Sequence, residues 1–343
     1  MATMKAFVAS CLFLVLIGIS QAIHEEVVKA KWATYKIQHG KEYHPTEDST
    51  RLANYLQSTL AIETHNLRFH RGEVGYELGH NHLSDMSHEE VKTKMLGKRS
   101  MSLEGRNFTD VPPMAMPSLP SKVDWREYGI VTPPKSQGDC GSCYAFGTVG
   151  VIESAILQKR PKKTGTLLDL AEQQVVDCSY HVHNSFNNGC QGGHELVVMD
   201  HVDKFGLLPE KSYTYTSGRT GKQGACKQKN GHFGKGLKYR RIPPGDENTV
   251  AQVLAKFGTL VISISGENRD FQLFRGGIYD NASCPKTVDH VVSLVGFGEQ
   301  NGRKYWIIKN SWGSTWGENG FGRILRGVNQ CGIVSDNSWS IQM

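Results

Sequence analysis

Between Cys11 and Cys140 the chain has no cysteine, and after its first two dozen residues it has no long apolar run. The first absence excludes a disulfide scaffold for that stretch. The second excludes a helical membrane span in the body of the protein, since crossing a bilayer takes about 20 apolar residues. No block of Lys/Arg and no Gly-rich phosphate loop ahead of a helix is present, and the net charge is a modest +6. Nucleic acid is therefore not an expected partner. What is there, 38% hydrophobic and 21% charged residues in a chain of 343, fits a soluble protein of two domains with an appendage.

The one apolar run lies at the start. Lys5 precedes residues 6–19, and Ser20-Gln21-Ala22 places small residues at a cleavage position. This predicts a secretory signal peptide over 1–22, with no stable membrane insertion and a secretory destination, lysosomal or extracellular. Of eight cysteines, Cys11 leaves with the signal. Cys140, Cys143, Cys178, Cys190, Cys226, Cys284 and Cys331 remain. In an oxidising compartment six can pair and one is left over; the sequence alone does not fix which pairs form.

The odd cysteine is nominated by Ser136-Gln-Gly-Asp-Cys-Gly-Ser-Cys-Tyr-Ala-Phe146. Cys143 follows a Gly/Ser turn and heads an apolar, helix-like run. A helix N-terminus has free N–H groups and partial positive charge, which favours the nucleophilic thiolate. Gln137 is placed to offer a side-chain N–H to the same spot. A rival reading takes Cys140-Gly-Ser-Cys143 as a redox pair, which would strand another cysteine.

Residues 23–71 read as helical, with Trp32, Tyr35 and His39, then Leu52, Tyr55, Leu56, Thr59, Leu60 and Ile62 at helical spacing. A short extended piece is expected over 79–85, then a Pro/Met-rich linker at 111–120. Beyond it, helices are expected over 143–158, 170–176 and 196–205, and strands over 260–264, 291–295 and 305–308. A helical part followed by a strand-rich part predicts an α+β protein with a cleft between the two, the usual place for a site.

A cysteine nucleophile needs a base, and the base needs an orienting group. His290, in Val288-Asp-His290-Val-Val-Ser-Leu-Val-Gly-Phe-Gly298, opens one strand; Asn310, in Lys309-Asn310-Ser-Trp312-Gly, ends another. They lie 147 and 167 residues after Cys143. With these three segments the chain resembles the papain-family cysteine proteases, cathepsin L-like, in prepro form.

The resemblance implies a papain-like two-lobed fold and three parts: signal peptide 1–22, inhibitory propeptide 23–118 and peptidase domain 119–343. It implies a zymogen of a cysteine endopeptidase, activated by removal of the propeptide in acid. Cys143 would be the nucleophile, His290 its acid–base partner in a thiolate–imidazolium pair, Asn310 the orienting group, Trp312 a shield, and Gln137 an oxyanion donor. It also implies disulfides Cys140–Cys190, Cys178–Cys226 and Cys284–Cys331. Gly192 and Gly193 would bind extended substrate through bare backbone. By alignment Glu195, Ser263, Val288, Val291 and Asp336 would line the pocket for the second residue before the scissile bond. Relatives are mostly apolar there; two carboxylates argue for accepting Arg or Lys alongside aliphatic residues. No cofactor or metal is implied, a metal site at His181-Val-His183 being the weaker alternative to a solvated loop. The partners implied are peptide or protein substrates, the chain's own propeptide and cystatin-type inhibitors, with the enzyme a monomer.

Glu47, Arg51, Tyr55, Ser58, Ile62 and Asn66 follow the helix pattern of such propeptides, with Tyr55 and Ser58 as departures; Gly79, Asn81, Leu83 and Asp85 follow a second motif. Propeptide cleavage is expected near 116–119. Eight of the 14 histidines lie in the propeptide, which predicts that acid loosens it by charging them. Tyr144 replaces the usual tryptophan after the nucleophile. Asn107-Phe-Thr and Asn281-Ala-Ser are glycosylation sequons. Two other classes compete: a non-catalytic peptide-binding homologue and a thiol oxidoreductase.

Overall fold

The computed structural model describes residues 25–106, 108–113, 118–160, 168–181, 186–228 and 230–343. The expected signal peptide, Asn107, residues 116 and 117 of the expected cleavage region and His183 lie outside the described residues. By packing the chain divides into two units. One takes in the chain up to Leu60 together with Ser84–Met86; the other comprises Ala61–Leu83 and Ser87–Met343.

The first unit holds helix α1, residues 25–38, and the start of α2 (Pro45–His70). The helical stretch expected over 23–71 forms as two helices separated at 39–44. Pro45 restarts it at a position where its missing N–H costs nothing. Trp32, Tyr35 and Tyr55 form a small aromatic core of their own. Asp85 is buried beside it and collects the Tyr35 hydroxyl at 3.0 Å, the Tyr43 hydroxyl and the Lys41 ammonium at 3.2 Å. Its carbonyl takes Arg51 and Asn54. Ser58, small where the propeptide pattern expects asparagine, donates to the Ser84 carbonyl at 2.6 Å.

The second unit is α+β. Strand β1 (Tyr76–Leu78) and helix α3 (His88–Met95) come first, then β2 (Val123–Asp124), α4 (Cys143–Lys159), α5 (Glu172–Cys178), α6 (Glu195–Phe205) and α7 (Ser217–Thr220). The strand-rich part follows: β3 (Lys238–Ile242), α8 (Glu247–Phe257), β4 (Leu260–Ile264), α9 (Arg269–Gln272), β5 (Phe274–Tyr279), β6 (His290–Gln300), β7 (Arg303–Lys309), β8 (Phe321–Leu325) and β9 (Ser338–Gln342). The sheet runs β1-β5-β8-β7-β6-β4-β9-β3, with β2 beside β6. Only β5–β8 is parallel among its pairs.

Helix α4 is buried nearly all round. Gly147 and Gly150 lie on its face toward the sheet; a Cβ at Gly147 would stand 2.8 Å from Val291, and one at Gly150 3.0 Å from Ser293 Oγ. The helix-propensity loss of about 1 kcal/mol per glycine is the condition for that close approach. It brings the start of α4 to the start of β6, which is how Cys143 meets the segment carrying His290.

Three disulfides form: Cys140–Cys190, Cys178–Cys226 and Cys284–Cys331. Cys143 stays free. The extended piece expected over 79–85 is instead a turn after β1. The Asn81 side chain accepts the Leu83 N–H at 2.8 Å, closing the turn locally. From Ala61 on, the described residues of the expected propeptide other than Ser84–Met86 thus pack in the same unit as the expected peptidase domain.

Candidate active site

Four loops build the site. The thiol of Cys143 opens α4 and is fully buried. The turn before it is tied down by the Cys140–Cys190 disulfide and by the Gly141 N–H on the Cys190 carbonyl at 3.0 Å. His290 is the first residue of β6, also fully buried. Its Nε2 meets Asn310 Oδ1 at 2.8 Å. The same oxygen accepts the Ser311 N–H at 2.8 Å, so two donors fix which way the Asn310 amide faces. Trp312 packs on the imidazole, 4.8 Å between centroids, and is itself boxed by Phe271 and Trp316.

Gln137 is locked to the same loop. Its N–H reaches the Ser311 carbonyl at 2.8 Å, and its Oε1 accepts the Ser311 hydroxyl at 2.6 Å. With the oxygen so held, Nε2 must point away. It donates to the Cys140 carbonyl at 2.8 Å and to the Met95 carbonyl at 2.9 Å. Ser311 is a functional residue that the motif reading missed; its adjacency to Asn310 was the available signal.

Met95 ends α3, and its carbonyl is one of the four a helix leaves unpaired. From there the chain runs through the site. The Gly97 N–H points at Cys143 Sγ, 3.4 Å away. The Gly97 carbonyl accepts from Gly193 at 2.8 Å, and the Gly193 carbonyl accepts from Arg99 at 2.8 Å. Lys98 donates its N–H to the Asp289 carbonyl at 2.9 Å. The segment thus bridges a loop of the helical part and the loop residue just before His290. Its pairing with Gly193 is parallel. Bare backbone is required on both sides. A Cβ at Gly97 would fall 1.8 Å from the Gly141 oxygen, and one at Gly192 2.5 Å from the Gly97 oxygen.

Under this cover both reacting groups are neutral. Burial pushes the Cys143 thiol up to about 11, against the N–H groups of Val291 and Gly97. Burial also pushes the His290 imidazole down to about 4, against the Asn310 hydrogen bond. Among the described residues His290 Nδ1 has no hydrogen-bond partner. The thiolate–imidazolium pair is therefore not the state of the covered site; it belongs to a site readmitted to water.

Glu195 and Asp336 come together, and Lys98 lies between them. The Lys98 side chain is 1% exposed, with Nζ 2.8 Å from Asp336 Oδ2 and 3.6 Å from Glu195 Oε2. Glu195 Oε1 is held by the Trp339 indole N–H at 3.3 Å. Ligand atoms of His194, Glu195 and Asp336 lie within 4.8 Å of one another, a donor set suited to a cation. Here the His194 Nδ1 already accepts the Leu196 N–H, and the lysine ammonium supplies the positive charge. Val291 and Ser263 are paired across β6 and β4, both buried; Val288 is half-buried two residues before His290. Trp312 lies behind His290 and lines no part of the Lys98 contact set described here. Asp289 accepts the Gly266 N–H at 2.7 Å, and burial raises its carboxyl to about 6.

Tyr144, the departure after the nucleophile, is buried and donates to the Gly189 carbonyl at 3.0 Å. Its ring lies against Gly193, where a Cβ would meet it at 2.9 Å. A hydroxyl thus braces the loop that carries the disulfide and the two glycines. Asn281 Nδ2 donates to Asp270 at 2.9 Å.

The chain is similar to known proteins over most of its length. The family model for papain family cysteine proteases matches residues 119–341, and that for the cathepsin propeptide inhibitor domain (I29) matches 32–91. Cathepsin L of Sarcophaga peregrina is 36% identical, over 95% of this chain and 97% of its own. A cathepsin L-like proteinase of Fasciola hepatica is 37% identical, over 89% and 90%. Among solved structures, the digestive procathepsin L 3 of the Tenebrio molitor larval midgut superposes with a TM-score of 0.80 at 30% identity, over 92% of this chain and 99% of its own. The recombinant stem bromelain precursor gives 0.78 at 28%, over 92% and 99%.

Proposed function

The chain belongs to the papain family of cysteine proteases and is the zymogen of a cysteine endopeptidase, and on that premise we propose that Cys143, His290, Asn310 and Gln137 carry out peptide hydrolysis once the propeptide has gone. The observation that carries this reading is the Gln137 amide. It already holds a peptide carbonyl, that of Met95, beside the thiol. Yet the thiol faces the Gly97 N–H, not a carbonyl carbon. The segment thus occupies the Gln137 amide and offers Sγ an N–H in place of a carbonyl carbon to attack.

With the segment removed, water reaches both groups and the proton passes from Cys143 to His290. The thiolate adds to the substrate carbonyl carbon. The oxyanion takes the Gln137 N–H that Met95 releases, together with the Cys143 backbone N–H. His290 protonates the leaving amine, and the acyl thioester is hydrolysed by a water that His290 deprotonates. Asn310 Oδ1 keeps the Nε2–H oriented throughout, and Trp312 keeps water off that bond. Gly193 would hold the substrate backbone with the N–H and carbonyl that hold Gly97 and Arg99 here, while Gly192, its own backbone groups bonded to Gly189 and Asn188, leaves room for the close approach.

The proposal extends to the boundaries 22/23 and 118/119, to acid as the trigger, to the secretory pathway with lysosomal or extracellular delivery, to cystatin-type inhibition and to a monomer. Among the described residues no helix is long and apolar enough to cross a membrane. Glycans at Asn107 and Asn281 are part of it too; at Asn281 one amide hydrogen would have to leave its present partners. The test is titration of the acid-matured enzyme with an irreversible epoxide-type thiol reagent. Labelling of Cys143 in step with loss of peptide hydrolysis supports the reading, and Gln137→Ala should lower kcat about 100-fold. An unreactive thiol, or insulin reduction without hydrolysis, overturns it.

A further inference from the structure

The structure assigns the Glu195–Asp336 pocket as a charge-reading subsite, and we propose that the matured enzyme selects substrates with Lys or Arg at the residue entering it, expected to be the second before the scissile bond. The inference rests on the peptidase reading above and names the substrate class of that site.

The zymogen itself shows a basic side chain in place. Lys98 is buried to 1% exposure, which a lysine tolerates only when its charge is met. Burial alone would lower its pKa, but Glu195 and then Asp336 more than reverse this and keep it protonated. The pocket is built for the task from three elements. Glu195 is the first residue of α6, where the helix end favours a carboxylate. Trp339, on β9, fixes one of its oxygens. Asp336 is oriented by the Asn337 N–H at 2.7 Å, from the loop before β9. His194 caps α6 through Nδ1, which accepts the Leu196 N–H, and burial lowers its pKa.

When the propeptide leaves, Lys98 leaves with it. Two carboxylates then lose the ammonium that meets them here, Glu195 keeping one oxygen on Trp339 and Asp336 one on the Asn337 N–H. An aliphatic side chain entering the pocket covers the remaining oxygens without a cation, which is the costly case. A lysine restores the contacts seen here. An arginine meets both carboxylates with its planar fork. The pocket therefore discriminates through the penalty of an unpaired buried charge as much as through attraction.

The experiment is peptide-library profiling of the full chain after maturation, with the active fraction first counted by the epoxide reagent. The expected result is a kcat/KM for Arg or Lys at that position about 10–100-fold above Leu. Asp336→Asn and Glu195→Gln should each cut the Arg:Leu ratio at least about tenfold, and Asp336→Glu should retain most of it. A titratable enzyme that prefers Leu, or whose ratio Asp336→Asn and Glu195→Gln leave unaltered, overturns this inference and leaves the peptidase reading standing. Absence of any thiol titration overturns both.

Discussion

Propeptide residues are held in two different ways. At the sheet edge, β1 is added to β5 by backbone pairing, Tyr76 opposite Gly277 and Leu78 opposite Phe274. Side chains there act as neutral clamps. Asn66 gives and takes a hydrogen bond with the Leu78 backbone, both 2.9 Å, and Asn81 donates to the Gln272 carbonyl at 2.8 Å. At the active site the hold is a glycine squeezed against backbone and a lysine between carboxylates. The edge hold is mainly uncharged, with His65 beside Asp270 and Glu77 beside Arg275, each 3.8 Å apart, as its titratable pairs. The site hold depends on buried charge, and acid acts on its carboxylates.

The steric part of the site contact is the easiest to break. Gly97→Val puts side-chain atoms where the Gly141 carbonyl stands 1.8 Å from the first of them. Neither side can yield without moving backbone, so the segment must lift, at a cost of about 3 kcal/mol or more. Alkylation of Cys143 in the intact zymogen at neutral pH should speed up at least about 100-fold. Hydrogen exchange at residues 76–78 should stay slow. Equal protection of the thiol in the variant would show that the segment has another route through the site.

Lys98→Met tests the charged part. Asp336 is 28% exposed, so the loss falls below the range for a fully buried pair, about 2–3 kcal/mol. Thiol alkylation should rise about 30–100-fold at neutral pH. The sign with pH follows from Asp336. Burial raises its pKa, but the charge and hydrogen bond of Lys98 outweigh that and leave it below the ordinary carboxylate value. A carboxyl depressed in the docked state stabilises docking above its undocked pKa and loses that contribution as pH falls through the depressed one. Lys92 with Glu267, 3.0 Å apart, has the same sign. Acid should therefore speed alkylation of the native zymogen, and Lys98→Met should flatten that dependence. A variant with the native pH profile would place the trigger elsewhere.

The histidine-rich composition points to a trigger with the same direction, but two of those histidines face carboxylates. His65 Nδ1 lies 3.8 Å from Asp270, and His88 Nε2 3.8 Å from Glu267. Charging either adds attraction. Counting histidines could not reveal what each one faces. The same limit explains what else was and was not legible. Cys143, His290 and Asn310 stand in local motifs with family-wide spacing, and α4 and α6 carry strong apolar patterns, so both were readable. Strands β3, β8 and β9, and helix α8, were not individually foreseen; only a general turn to strands was. Strand β1 is three residues long and exists only because β5 offers an edge. Lys98 sits in a stretch without any pattern, and its partners lie about 100 and 240 residues away. No local rule links them.

At the edge, Asn66→Ala removes both bonds to Leu78 and should cost about 2 kcal/mol. Exchange at residues 76–78 should quicken about 10–30-fold, with the change in thiol alkylation much smaller and independent of pH. An acid-dependent effect of this substitution would mean that the two holds are one.

Tyr76→Phe is the smallest and sharpest cut. The Tyr76 hydroxyl donates to Asp270 Oδ2 at 2.8 Å, but that oxygen also takes the Asn281 amide at 2.9 Å. The carboxylate is left with a partner, so the loss should be about 1 kcal/mol, read as roughly fivefold faster exchange at residues 76–78. His65 Nε2 faces the Tyr76 carbonyl at 2.9 Å, so Nε2 carries the proton and keeps that carbonyl held when the hydroxyl is gone. Thiol alkylation of Cys143 should therefore be unaltered by Tyr76→Phe, and an effect there as large as that on exchange would show that the edge and the site let go together.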